Sequence, residues 1–242
     1  MAIFLYTDFG AADLYAGQMR MVLAQCAPGT PVVDLFHDAP AFNVKANAHL
    51  IAALVRRLTD RAVVVAVVDP GVGSARRPLA IEADARWYVG PDNGLLSIIA
   101  ARADRVRLHA IRWRPPRLPA SFHGRDLFAP VAAMIAQRTV AADALAPIDA
   151  LEVALGAEDA AEIIYIDHFG NALTGLRAAD TPRERRLAVG RRRIPHARVY
   201  SEVKPGALFW YENSLGLIEI AANGASAARA LRLTIGQPVA LV

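Results

Sequence analysis

Apolar positions along the first 147 residues change period repeatedly, and each change predicts an element. Ala2–Tyr6 is an apolar, partly branched run, read as a strand leading into the loop Thr7-Asp8-Phe9-Gly10. Tyr15, Met19, Val22, Leu23 and Cys26 recur at helical spacing, and Pro28-Gly29 ends that helix. Pro31–Phe36 reads as a strand and Val44–Leu58 as an amphipathic helix capped by Asn43. Ala62–Val68 is wholly apolar, as a strand buried on both faces is. Leu79–Ala83 and Arg86–Val89 read as a hairpin. Leu95–Ala103 and Leu127–Gln137 read as helices, the second capped by Asp126, with Pro130 in its first turn. Strands separated by helices predict a mostly parallel sheet with helices on its faces.

Past Pro147 the texture changes. Glu162–Ile166, Arg186–Val189, Ala197–Ser201, Leu208–Tyr211, Leu217–Ala221 and Val239–Val242 are short strand-like runs broken by Gly, Pro and Asn. The reading is an α/β N-terminal domain over residues 1–150 and a C-terminal domain over 160–242 that is a small antiparallel sheet or β-barrel.

Composition narrows the classes. With 242 residues and 55% apolar content, the chain can bury a core and is not disordered. The net charge is only +4, and Lys45 and Lys204 are the only lysines among 27 basic residues. Arginine clusters at 102–117 and 183–193 read as solvated loops or subunit contacts. An RNA-binding surface is disfavoured, because aromatic and basic residues do not interleave. The lone Cys26 excludes an internal disulfide. A carboxylate at Asp8 comes too early for a signal peptide, and no apolar run is long enough to span a membrane, so a cytoplasmic protein is expected. No metal-ligand pairing, Gly-x-Ser-x-Gly elbow or dinucleotide fingerprint occurs, so neither metal nor cofactor is expected.

Polar residues gather where strands end. Asp8 and Asp69 follow two of the predicted strands, where open α/β sheets bind ligands. There they either cap turns or accept hydrogen bonds from vicinal hydroxyls. Asp69-Pro70-Gly71-Val72-Gly73 is a glycine-bearing turn, with Arg76 seven residues past Asp69 and near enough to fold back. Pro91-Asp92-Asn93-Gly94 has the composition of a tight turn, in which Asn93 can also read a heterocycle edge. His123 sits in a loop just before a helix, where an imidazole can serve acid–base chemistry. Asp167-His168-Phe169-Gly170-Asn171 and Glu212-Asn213-Ser214 close later strands.

Taken in order, Thr7-Asp8-Phe9-Gly10 with Asp13, Asp69 to Gly73 with Arg76, Pro91 to Gly94, Phe122 to Asp126 and Asp167 to Asn171 resemble the S-adenosylmethionine (SAM) hydroxide adenosyltransferases, kin to the fluorinase and chlorinase. The resemblance spans nearly the whole chain and implies a homotrimer. In it SAM lies between the N-terminal domain of one subunit and the C-terminal domain of its neighbour. It implies hydrolysis of SAM, as substrate rather than cofactor, to adenosine and L-methionine. Asp69, Arg76 and His123 would activate water, with His123 as base, and Asp8 would hold the ribose. Asp13 and Asp167 would hold the methionine ammonium, Phe42 and Phe169 would flank the ligand, Asn171 would read adenine and Ser214 would meet the carboxylate. The chain departs from the pattern at Phe42, where Trp is common, at Gly175, where Asn is usual, and at Leu215, where halogenases have Arg. Halogenases carry Tyr in place of Asp69 and lack His123, so hydrolysis is preferred to halogenation. A non-catalytic SAM or adenosine sensor would need only the contact residues.

Overall fold

The computed structural model describes residues 1–179 and 181–242. It divides into two compact units, Met1–Ala48 with Arg57–Ala157, and Glu158–Val242 with His49–Arg56.

The first unit is built on seven strands: β1 (Ile3–Thr7), β2 (Val32–Phe36), β3 (Val63–Val67), β4 (Pro78–Ala83), β5 (Arg86–Pro91), β6 (Val106–Ile111) and β7 (Leu145–Pro147). They form one sheet in the order β2-β1-β3-β5-β4-β6-β7. The pairs β1–β2, β1–β3 and β3–β5 are parallel, while β4–β5, β4–β6 and β6–β7 are antiparallel. The sheet is therefore mixed, not mostly parallel as the sequence suggests. The excess antiparallel pairing comes from β6 and β7, which the sequence does not reveal. Val106, Arg107 and Arg105 are exposed, so that stretch reads as a solvated arginine cluster rather than a strand.

Helices α1 (Leu14–Cys26) and α4 (Ala129–Gln137) cover one face, where Met19, Leu23, Val131 and Ile135 pack on Ile3, Leu5, Val63 and Val65. Asn43 caps α2 (Val44–Leu54) through its side chain to the Ala46 amide at 3.0 Å, and the last turn expected of that helix is a 3₁₀ turn, Val55–Arg57. Helix α3 (Ser97–Arg102) is shorter at both ends than its apolar run.

Asp126 does not cap α4. Its carboxylate is held by its neighbour Arg125, at 2.7 and 2.8 Å. A π-helical turn, Gly124–Phe128, precedes α4 instead, closed by the Ala129 amide on the Gly124 carbonyl. Pro130 has no N–H to offer the Asp126 carbonyl in an α-helical register, which accounts for the wider turn.

The second unit contains β8 (Ala160–Ile166), β9 (Ala172–Arg177), β10 (Leu187–Val189), β11 (Arg192–Ile194), β12 (Leu208–Glu212), β13 (Leu217–Ala222), helix α5 (Ala227–Leu231) and β14 (Ala240–Leu241). These strands make a four-stranded sheet, β12-β13-β9-β8, and a three-stranded sheet, β11-β10-β14. Both are antiparallel and share a core of Ile163, Leu187, Ile194, Trp210 and Ile220. Among the described residues they do not close into a barrel. Strand β9 escapes the sequence pattern because Gly175 interrupts it. A Cβ there would sit 2.8 Å from the Ala160 carbonyl oxygen, so the close approach of β8 requires glycine. Ala197–Ser201 forms no strand; its end enters a 3₁₀ turn, Tyr200–Glu202.

Candidate active site

Strand order β2-β1-β3 places a topological switch at β1, because the crossovers to either side of it run in opposite directions. The crevice at the carboxyl ends of such strands is where ligands enter open sheets. Thr7 and Val67 end β1 and β3 side by side, so Asp8 and Asp69 emerge together. A cavity of about 290 Å³ opens there, lined by Asp8, Phe9, Tyr15, Phe42, Asp69 and His123 among others.

Three side chains are locked together beside it: Asp69 and His123 line the cavity, and Arg76 joins them from outside its lining. Arg76 Nε donates to Asp69 Oδ1 at 2.9 Å, its Nη2 donates to Asp69 Oδ2, and Nη2 also reaches His123 Nδ1 at 3.0 Å. The Asp69 and Arg76 side chains are only 4% and 9% exposed, so the pair is a buried one. The turn that returns Arg76 to Asp69 depends on Gly73, whose φ of +80° is left-handed and whose added Cβ would lie 2.7 Å from the Ala120 carbonyl oxygen. His123 enters from the other side, on the residue just before the π-helical turn.

A guanidinium only donates, so His123 Nδ1 accepts and the neutral ring carries its proton on Nε2. Burial, and then the neighbouring Arg76, lower the His123 pKa, while Asp69 partly opposes them. Asp69 therefore acts on His123 through Arg76, not by the direct contact a histidine base oriented by aspartate would need. Asp8 is pushed the other way: burial raises its carboxyl pKa, against the Phe42 amide, which donates to its Oδ2 at 2.9 Å.

The remaining residues singled out by sequence separate by role. Phe42 is 76% exposed at φ +61°, beside Asp8. Asp13 caps α1, its Oδ1 accepting from the Leu14 amide at 2.6 Å, and does not line the cavity. Asn93 uses both ends of its amide within its turn, donating to the Val68 carbonyl at 2.9 Å and accepting from the Leu95 amide at 3.2 Å. It thus braces the strand exit at Asp69 and also lies outside the cavity lining. Asp92 of the same motif is buried against Arg77, which donates to Asp92 Oδ2 at 2.8 and 2.6 Å.

In the second unit Asp167 accepts from the Asn171 amide at 2.8 Å and from its Nδ2 at 2.9 Å, which closes the turn that exposes Phe169 at 74%. Phe169 and Asn171 line a cavity of about 690 Å³ with Tyr200, Ser226 and Arg229. Ser214 is exposed in the β12–β13 turn. Beside it stands a group that no sequence motif marks. Glu219, buried on β13, accepts from Tyr211 Oη at 2.6 Å and from Asn213 Nδ2 at 2.8 Å. Burial raises its pKa, and as a lone carboxylate in an apolar strand it carries no motif.

Among the described residues no group of side chains is arranged to hold a metal ion, and no helix is long and apolar enough to cross a membrane. Residues 3–145 match the SAM hydroxide adenosyltransferase N-terminal domain and residues 161–240 its C-terminal domain. The chain is 41% identical to the (R)-S-adenosyl-L-methionine hydrolase of Thermus thermophilus, with 99% of each chain covered. It is 23% identical to a fluorinase of Nocardia brasiliensis, covering 95% of this chain and 93% of the relative. A crystal structure of a conserved protein from Thermotoga maritima superposes with a TM-score of 0.89 at 26% identity, covering 99% and 98% of the two chains. Two matched domains in series, with 41% identity over nearly the whole of a curated relative, place this chain in the SAM hydroxide adenosyltransferase family.

Proposed function

We propose that the chain hydrolyses SAM to adenosine and L-methionine, and that it takes the epimer with the (R) configuration at sulfur, as named for its T. thermophilus relative. The observation that carries the chemistry is the Asp69–Arg76–His123 chain, whose two ends, Asp69 and His123, line a cavity with Asp8.

The sulfonium makes C5′ of the ribose electrophilic and leaves as a neutral thioether, so no general acid is required. Water attacks C5′ as the C5′–S bond breaks, and one proton is released. His123, with its proton on Nε2, offers a donor to the attacking oxygen rather than a lone pair. A donor and a guanidinium nearby favour hydroxide over water. The proton has Asp8 and Asp69, which line the same cavity, as acceptors. Removing one donor aimed at reacting charge typically costs about 10²–10³ in kcat.

Asp8 is assigned to the ribose hydroxyls and Phe42 and Phe169 to the faces of the ligand. Asp13 and Asp167 are assigned to the ammonium, Asn171 to adenine and Ser214 to the carboxylate. Asn93 acts through the Val68 carbonyl it holds. The assembly is a homotrimer, supported by two large aromatics, Phe42 and Phe169, that stand uncovered in the single chain. Incubating the purified protein with each sulfur epimer and chromatographing the products tests the reading. Adenosine and methionine should form in equal amounts from the (R) epimer, with EDTA without effect. Release of 5′-chloro- or 5′-fluoro-adenosine in halide buffer in place of adenosine would overturn it.

A further inference from the structure

A second cavity, of about 590 Å³, lies behind the same side chains within the first unit. Arg76, Arg77, Arg112, Arg114 and Glu152 line it, and His123 lines both cavities. Asp69 faces only the front cavity and Arg76 only the rear one.

Arg76 is therefore turned away from the substrate side, with one edge unspent. Its Nε and Nη2 are used on Asp69 and His123, while Nη1 donates to no acceptor among the described residues. That edge belongs to a side chain that is more than nine-tenths buried and lines the rear cavity. Two further guanidiniums on this cavity lack a carboxylate. Arg114 donates only to the main-chain carbonyls of Ile111 and Trp113, both at 2.8 Å, and the Arg112 side chain bonds to nothing among the described residues. The acidic lining residue is already committed, since Glu152 Oε2 accepts from the Arg77 amide at 3.2 Å and Oε1 lies 3.7 Å from Arg77 Nε. Burial, and then repulsion from Arg76 and Arg112, lowers the Arg114 pKa.

We propose that the rear cavity is a second site, which binds a small oxyanion of the phosphate or carboxylate type through Arg76 Nη1, Arg112 and Arg114. Planar guanidiniums suit such oxygens, which they bind two at a time. An anion seated there neutralises part of the charge that favours hydroxide at His123, so it slows hydrolysis without touching the substrate. The site gives a use to part of the arginine cluster at 102–117, which neither the sheet nor the reaction requires.

Calorimetric titration of the whole protein with inorganic phosphate, and separately with acetate, at constant ionic strength tests the site without reference to any substrate. Saturable binding is expected for at least one of the two anions. The double variant Arg112→Gln, Arg114→Gln should lose it, whereas Arg117→Gln, in the same cluster but outside the cavity lining, should keep it. If the double variant does not fold, Arg112→Gln alone serves, since that side chain bonds to nothing among the described residues. In turnover assays the bound anion should lower kcat by about tenfold with KM unchanged, the equivalent of one unit in the proton affinity of the nucleophile. Absence of saturable binding, equal binding by the double variant, equal loss in Arg117→Gln, or the same inhibition by chloride at matched ionic strength would each overturn the proposal.

Discussion

The two units hold their buried carboxylates in opposite ways. In the first, Asp69 is answered by a guanidinium that goes on to His123 and still has donors to spare. In the second, Glu219 is answered by the neutral donors Tyr211 and Asn213, and Asn213 goes on only to accept the Leu215 and Leu217 amides of its own turn. A charge relay with unspent donors can act on something that arrives from outside. A carboxylate saturated by neutral donors fixes the shape of a turn. On the function proposed above, the first unit carries the chemistry and the second shapes a binding surface.

The largest effect should come from breaking the charged relay. Arg76→Leu leaves Asp69 buried without its partner, which typically costs about 3–5 kcal/mol. A marked fall in melting temperature together with loss of turnover is expected, and Arg76→Lys should not restore turnover, because an ammonium lacks the fork that spans Asp69 and His123. A variant that keeps the parent melting temperature would show that the pair is not the keystone of the first unit.

A smaller effect of a different kind is expected from Glu219→Gln. The amide brings donors to face those of Tyr211 and Asn213, so at least one hydrogen bond is lost, at about 1–3 kcal/mol. Steady-state kinetics should show KM raised with kcat nearly intact, because the turn that Asn213 shapes carries Ser214. A fall in kcat alone would erase the contrast between the two units.

The smallest effect is a displacement along the pH axis. With its pKa lowered from 6.5, His123 stays neutral below the ordinary imidazole range, flanked by Arg76, Asp69, Arg114 and Asp126. Its contribution to both stability and kcat is present above 6.5 and is lost only as pH falls through the lowered value. Glu219 has a raised pKa, so it protonates at higher pH than an ordinary glutamate and perturbs KM. The acid limb of kcat should lie below 6.5 and be unmoved in Glu219→Gln, while the acid limb of KM should change in that variant. A kcat limb at or above 6.5 would contradict the environment assigned to His123.

Periodicity and turn chemistry by themselves determined β1, α1, β2, β3, the β4–β5 hairpin, β12 and β13, because each is a contiguous run whose burial follows its own residues. They also brought out Asp8, Asp69, Arg76 and His123, which sit at strand ends and beside glycines where local rules concentrate function. Tertiary structure alone decided the rest. Strands β6 and β9 exist because neighbours pair with them: Arg107 gives β6 a polar face, and Gly175 interrupts β9 at the one place where β8 comes too close for a side chain. Asp126 looks like a cap by position, yet its carboxylate is taken by Arg125 once Pro130 has widened the turn. Asn93 and Glu219 take their roles from Val68, Tyr211 and Asn213. The protonation of His123 follows from Arg76, 47 residues away, since only three-dimensional contact shows which ring nitrogen meets a donor.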